Sequence, residues 1–225
     1  MMRWLCVLLG VASTLAAAQV PPTPAERARY DGLFAAADRG DLAALDRALR
    51  AGARVDARDD YQRTPLHVAA YSSRGDAMRA LVAAGADPNA LERDRYDIVT
   101  IAAVANDVPT LAAALALGCS ARNVTSRYDG TALIAAAHLG HAEVVERLIA
   151  AGAPLDHVNN LGWTALIESI VLGDGGARHT ATLRALVGAG ANVNLADRGG
   201  QTPLALARAR GYDGMAGILE RAGAR

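Results

Sequence analysis

Lysine is missing from this chain altogether: all 23 basic residues are arginine, and they are offset by 23 Asp plus Glu. With a formal net charge of zero, the sequence lacks the positive footprint that DNA, RNA or anionic lipid would require. The absence of Lys beside an Ala, Arg and Gly bias goes with a bacterial genome rich in GC. There are two cysteines, Cys6 and Cys119. The first lies in an amino-terminal segment expected to be removed, so no internal disulfide can close and packing alone must hold the fold. Aromatics make up 4% of the residues, which makes the position of each one informative.

The one long apolar run lies at the start. Met1-Met2-Arg3 is a short positive beginning, Trp4 to Leu15 is apolar, and Ala16-Ala17-Ala18 before Gln19 supplies the small residues a signal peptidase needs. Residues 1–18 are expected to be a secretory signal peptide, too short to remain as a membrane span; the alternative is an uncleaved anchor. A lipoprotein signal does not fit, because Cys6 lies inside the apolar run. Residues 19–23 then form a tail, and the mature chain is expected in the periplasm or, alternatively, secreted.

From there a single design recurs. Equivalent positions fall at Asp31, Thr64, Asp97, Thr131, Thr164 and Thr202, with steps of 33, 33, 34, 33 and 38 residues. Periods of this size mark stacked repeats. In the second copy Thr64 is placed to cap a helix and Pro65 sits at its first position. Met78, Leu81 and Val82 then mark a second helix, which Gly85 ends. That glycine returns as Gly52, Gly118, Gly152, Gly190 and Gly223.

Thr64-Pro65-Leu66-His67-Val68-Ala69-Ala70 and Gly85-Ala86-Asp87 resemble the signatures of the ankyrin repeat. The resemblance implies an all-α ankyrin-repeat solenoid of about six helix-turn-helix units with projecting β-hairpin-like loops. The repeat domain would span 24–225, with units at 24–60, 61–93, 94–127, 128–160, 161–198 and 199–225. Thr23-Pro24-Ala25-Glu26 matches a capping box, predicting that the first inner helix starts near Pro24 and runs longer than its successors. The copy starting at Asp97 lacks Thr-Pro and is expected to be the least ideal interior unit. The extra residues around Gly173-Asp174-Gly175-Gly176-Ala177 are expected to bulge outward as a flexible loop.

Chemistry is sparse. The resemblance implies that His67 ties neighbouring units together. His138 and His141 have metal-like spacing but no fourth ligand nearby, so neither metal nor cofactor is expected. His179, in the insertion, is expected to be solvated, and Cys119 to be a buried, inert thiol. No catalytic triad, carboxylate pair or phosphate loop can be assembled, and the chain is not expected to be an enzyme. An enzyme with its site near residues 173–180 is the alternative from another class.

In ankyrin stacks, residues just before the threonine and at the end of the inner helix face the concave groove. Tyr61, Arg63, Tyr71, Arg93, Tyr96, Arg127, Tyr128, His138, Asn160 and Trp163 fall in that band and are the candidate partner-binding residues, since aromatics and Arg dominate interface hot spots. The competing reading is that these aromatics brace one hairpin against the next. The expectation is a monomer that binds a protein of unknown identity, with no nucleic acid and no membrane after signal cleavage. The resemblance extends to small periplasmic ankyrin proteins that support a catalase in peroxide resistance. An immunity-like inhibitor of a toxic enzyme and a secreted effector are the other possibilities.

Overall fold

Threonine hydroxyls start the helices as the repeat predicts. The side chains of Thr64, Thr131, Thr164 and Thr202 each accept from the backbone N–H three residues on, a cap contributing about 1 kcal/mol each. The computed structural model describes residues 19–225; the expected signal peptide, residues 1–18, lies outside the described residues. The helices are α1 (Pro24–Arg29), α2 (Gly32–Arg39), α3 (Leu42–Arg50), α4 (Pro65–Tyr71), α5 (Gly75–Ala83), α6 (Ile98–Val104) and α7 (Val108–Ala116). They continue with α8 (Ala132–Leu139), α9 (Ala142–Ala150), α10 (Ala165–Val171), α11 (Ala177–Gly188), α12 (Pro203–Ala209) and α13 (Asp213–Arg221). None of the described helices is long and apolar enough to cross a membrane.

The helices form two rows. Inner helices α2, α4, α6, α8, α10 and α12 each touch the next, and outer helices α3, α5, α7, α9, α11 and α13 do the same. Alanines explain the close stacking of the inner row: Ala36-Ala37, Ala69-Ala70, Ala102-Ala103 and Ala136-Ala137 are buried at equivalent positions. Leu33, Leu66, Val99, Leu133, Leu166 and Leu204 thread one continuous apolar core along the array. Each unit buries its faces only against its neighbours, as expected of a solenoid. All six terminating glycines have positive φ, from 79° to 93°, a conformation in which a Cβ would be strained.

The projecting loops share one device. Asp59, Glu92, Asn159 and Asp197 each turn a side-chain oxygen onto two backbone N–H groups of the same loop, two and four residues further on. A backbone bond across each hairpin closes it, such as Asp59 N–H to the Arg63 carbonyl. Successive fingers are then stitched together by Arg93 N–H to the Tyr61 carbonyl, Ser126 N–H to that of Arg95, and Asn160 N–H to that of Tyr128.

Four expectations need correction. The amino-terminal capping box is present, with Glu26 reaching back to the Thr23 amide at 2.7 Å. However, the helix it begins stops at Arg29 because Tyr30 turns extended, and α2 starts again at Gly32. The unit at Asp97 is well formed: its carboxylate caps α6 at 2.8 Å and accepts from Asn123, while Thr100 bonds Thr125 in place of the histidine link. The insertion is not a loose bulge either. Its residues lengthen α11 to 12 residues, and the Tyr212 hydroxyl donates to the Gly173 carbonyl. Finally, His179 is buried, its ring held between Asp174 and the carbonyl of His138.

Candidate functional site

A pocket of about 310 Å³ opens on the inner-helix side, at the third, fourth and fifth units. Helices α6, α8 and α10 form its floor, and the hairpins carrying Tyr96, Tyr128 and Leu161 form its wall. Gln19, from the stretch before α1, also lines it. Three candidate residues from the sequence meet here: Tyr96, Tyr128 and His138. Tyr128 and His138 keep partial exposure, whereas Tyr96 is 4% exposed and belongs to the core, against the expectation that it faces a partner.

The other candidates are distributed differently. Arg63 is 1% exposed. Its guanidinium bonds Asp59 at 2.7 Å, Glu26 at 2.9 Å and the Val20 carbonyl at 3.3 Å, so it is framework beneath the surface. Arg63 and Arg93 each sit 4.7 Å from the centre of the Tyr61 ring, cation–π contacts that join two successive fingers. Arg127 pairs with Asp94, and the Asn160 side chain donates to the Arg127 carbonyl, so both reach back to the preceding finger. Tyr71 and Trp163 pack partly buried against the core. The fingers thus brace one another along the array while Arg93, Arg127 and Asn160 remain exposed to solvent.

Sequence reasoning missed one residue lining the pocket, Glu168. It stands four residues after the capping threonine, where the other copies carry Ala35, Val68, Ile101, Ala135 and Leu206. That break in an otherwise apolar column was the signal available. Glu168 is 5% exposed, and burial pushes its carboxyl up to about 7, against the hydrogen bond from Asn159, which favours the charged form. Asn159 Nδ2 donates to Oε1 at 2.8 Å. The fingers before Thr64 and Thr202 have Asp59 and Asp197 at the Asn159 position; only an amide offers the N–H that a neighbouring carboxylate needs. His138 Nδ1 lies 3.6 Å from Glu168 Oε2, beyond hydrogen-bond reach.

The histidines otherwise serve the framework. His67 Nδ1 accepts from the Thr64 N–H and its Nε2 reaches the Tyr96 carbonyl of the next unit at 3.2 Å. His141 Nδ1 lies 3.0 Å from the Ala103 carbonyl. Burial lowers the His138 and His141 rings below the usual imidazole range, so they do not supply a cation to Glu168 at neutral pH. Among the described residues no group of three or more His, Cys, Asp or Glu is placed to hold a metal ion. Cys119 is buried, as its slot predicts, and burial pushes its thiol up to about 12.

The profile of ankyrin repeats in three copies matches residues 99–197, and a second ankyrin-repeat profile matches 33–82. The ankyrin repeat protein YahD of Escherichia coli is 33% identical over 190 residues, covering 84% of this chain and 94% of its own length. A solved ankyrin repeat domain from Acinetobacter baumannii AYE superposes with a TM-score of 0.80 at 42% identity, over 86% of this chain and 98% of that one. The ankyrin repeat domain of Bcl-3, a member of the IkappaB protein family, superposes with a TM-score of 0.78 at 29% identity, covering 88% of each chain.

Proposed function

The chain belongs to the ankyrin-repeat family, and from that premise we propose that it grips one protein partner in the groove between its inner helices and its fingers. Ankyrin repeats mediate protein–protein interaction, and their fold is an interaction scaffold. The observation that carries the proposal is the pocket in the middle of that groove, lined by Tyr96, Tyr128 and His138. Exposed Arg93, Arg127 and Asn160 on neighbouring fingers provide the polar rim. The bracing of these fingers supports rather than opposes docking, because a surface already rigid loses less entropy when a partner binds.

The amino-terminal segment supports a finer reading, in which the protein is exported and works in a bacterial periplasm without catalysing a reaction itself. Two partner classes fit that compartment: a resident enzyme such as a catalase, supported in peroxide resistance, and a toxic enzyme held inactive. The enzyme reading centred on residues 173–180 has little to rest on, since the His179 ring is enclosed by Asp174, the His138 carbonyl and the Gly173 backbone.

Capture from periplasmic extract followed by mass spectrometry tests the proposal. Recovery of a catalase or of a hydrolase separates the two partner classes. The double variant Tyr128→Ala with Trp163→Ala is expected to weaken capture by about thirtyfold or more, the scale of a single interface hot spot. Unchanged capture by a folded double variant would refute groove docking.

A further inference from the structure

The repeat supplies its own control for the pocket. At the Glu168 position five other units carry apolar side chains, so a carboxyl is not needed to stack an inner helix. In the preceding unit the same position is Ala135, and Ile101 one unit earlier is buried. The small Ala135 side chain leaves room in front of Glu168, and both Ala135 and Glu168 line the pocket. A carboxyl has been added, and space cleared, at the same place.

What surrounds that carboxyl is equally specific. Its hydrogen-bond partner is the neutral Asn159 amide, whose Oδ1 is fixed by the Leu161 and Trp163 N–H groups so that Nδ2 faces Glu168. No arginine lines the pocket among the described residues, although the chain is rich in arginine. Titratable neighbours come from three directions. His138 stands on α8, His141 precedes α9, and His179 on α11 reaches the His138 carbonyl. No charged residue of α12 lines the pocket. Tyr96 and Tyr128 line the same pocket. An acidic group on a largely apolar wall with no arginine beside it is complementary to a long side chain ending in a cation.

We propose that this pocket receives a basic side chain of the protein partner, a lysine ammonium or arginine guanidinium, with Glu168 as its counter-ion and Asn159 holding the carboxylate in place. The inference rests on the groove-docking reading and names the chemistry of its anchor. A cation entering the pocket binds the ionised carboxylate, so proton and ligand compete. Affinity therefore rises with pH through the Glu168 midpoint near 7, by about tenfold between pH 6 and pH 8. Protonation of His138 or His141 at lower pH adds like charge and acts in the same direction.

The test uses N-acetyl-lysine methylamide and N-acetyl-arginine methylamide as probes, with N-acetyl-norleucine methylamide as the uncharged control. Binding is followed by the carboxyl ¹³C resonance of Glu168 and the amide signals around the pocket. The expected result is a saturable shift with at least one cationic probe, at least tenfold weaker for norleucine and for the Glu168→Gln protein. Glu168→Leu guards against misfolding: it restores the apolar side chain found at Leu206, should keep the wild-type helical spectrum, and should not bind. No saturable response in wild type at tens of millimolar, or equal binding by Glu168→Gln, overturns the proposal. If the probes fail while Tyr128→Ala with Trp163→Ala still loses the partner, the cation pocket falls and groove docking stands. If a probe binds while that double variant captures normally, groove docking falls and with it the pocket's role as the partner's anchor, leaving only a cation-binding site.

Discussion

Replacing Glu168 with glutamine should leave stability nearly unchanged at pH 4 and raise it by about 3 kcal/mol at pH 8. Burial raises this carboxyl from 4.5 to about 7 in the folded protein. Below pH 4.5 the group is protonated in both states and there is no electrostatic penalty. Between 4.5 and 7 it ionises in the unfolded chain alone, so stability falls as pH rises, and above 7 the whole penalty remains. Glutamine carries no titrating group and escapes it. At 5% exposure the side chain has little solvent screening to shrink the effect. The wild-type profile alone would conceal this, because His67 works in the opposite sense. Burial lowers its ring to about 4, and protonation would take from Nδ1 the lone pair that accepts from the Thr64 N–H. Stability from His67 is therefore present above pH 6.5 and lost as pH falls through 4. The two slopes oppose each other across pH 4.5–6.5. The informative quantity is the difference between Glu168→Gln and wild type in urea unfolding at pH 4, 5.5, 7 and 8.5. A difference that stays constant over that range would refute the assignment.

Arg63→Met should lower stability by about 3 kcal/mol in urea unfolding, because it leaves the Asp59 and Glu26 carboxylates without the buried guanidinium that joins them. Its effect should centre on the first unit, read as faster hydrogen exchange in α1 and α2. Gly173→Ala should destabilise by more than about 1 kcal/mol, since a Cβ there would stand 2.1 Å from the Ser169 carbonyl oxygen; a variant melting like wild type would show the insertion to be as loose as its sequence suggests. Cys119 should resist a thiol reagent in the native protein at pH 8 and react fully in denaturant, as its burial and raised thiol require; rapid native labelling would contradict that.

The stack was legible because its signals are local. A threonine capping the amide three residues on and a glycine ending the second helix are written in adjacent residues, and their period carries the register. Even Asp97, an apparent departure, keeps the capping role through a carboxylate. The candidate band was legible as a line along the fingers, but the sequence cannot say which of its members face solvent. Arg63 and Tyr96 occupy the expected places and are buried, because Asp59, Glu26 and the Val20 carbonyl close over one and the core takes in the other.

The amino-acid sequence by itself determined six copies of a helix pair, their order and their caps, since each depends on interactions within a few residues. Tertiary structure decided which polar side chains meet. Arg63 finds Glu26 37 residues away, His179 finds the His138 carbonyl across 41, and Glu168 faces His138 from the next unit. Those meetings follow from how far each repeat is rotated and shifted on its neighbour. That displacement is set by packing across the whole interface, so no single motif contains it.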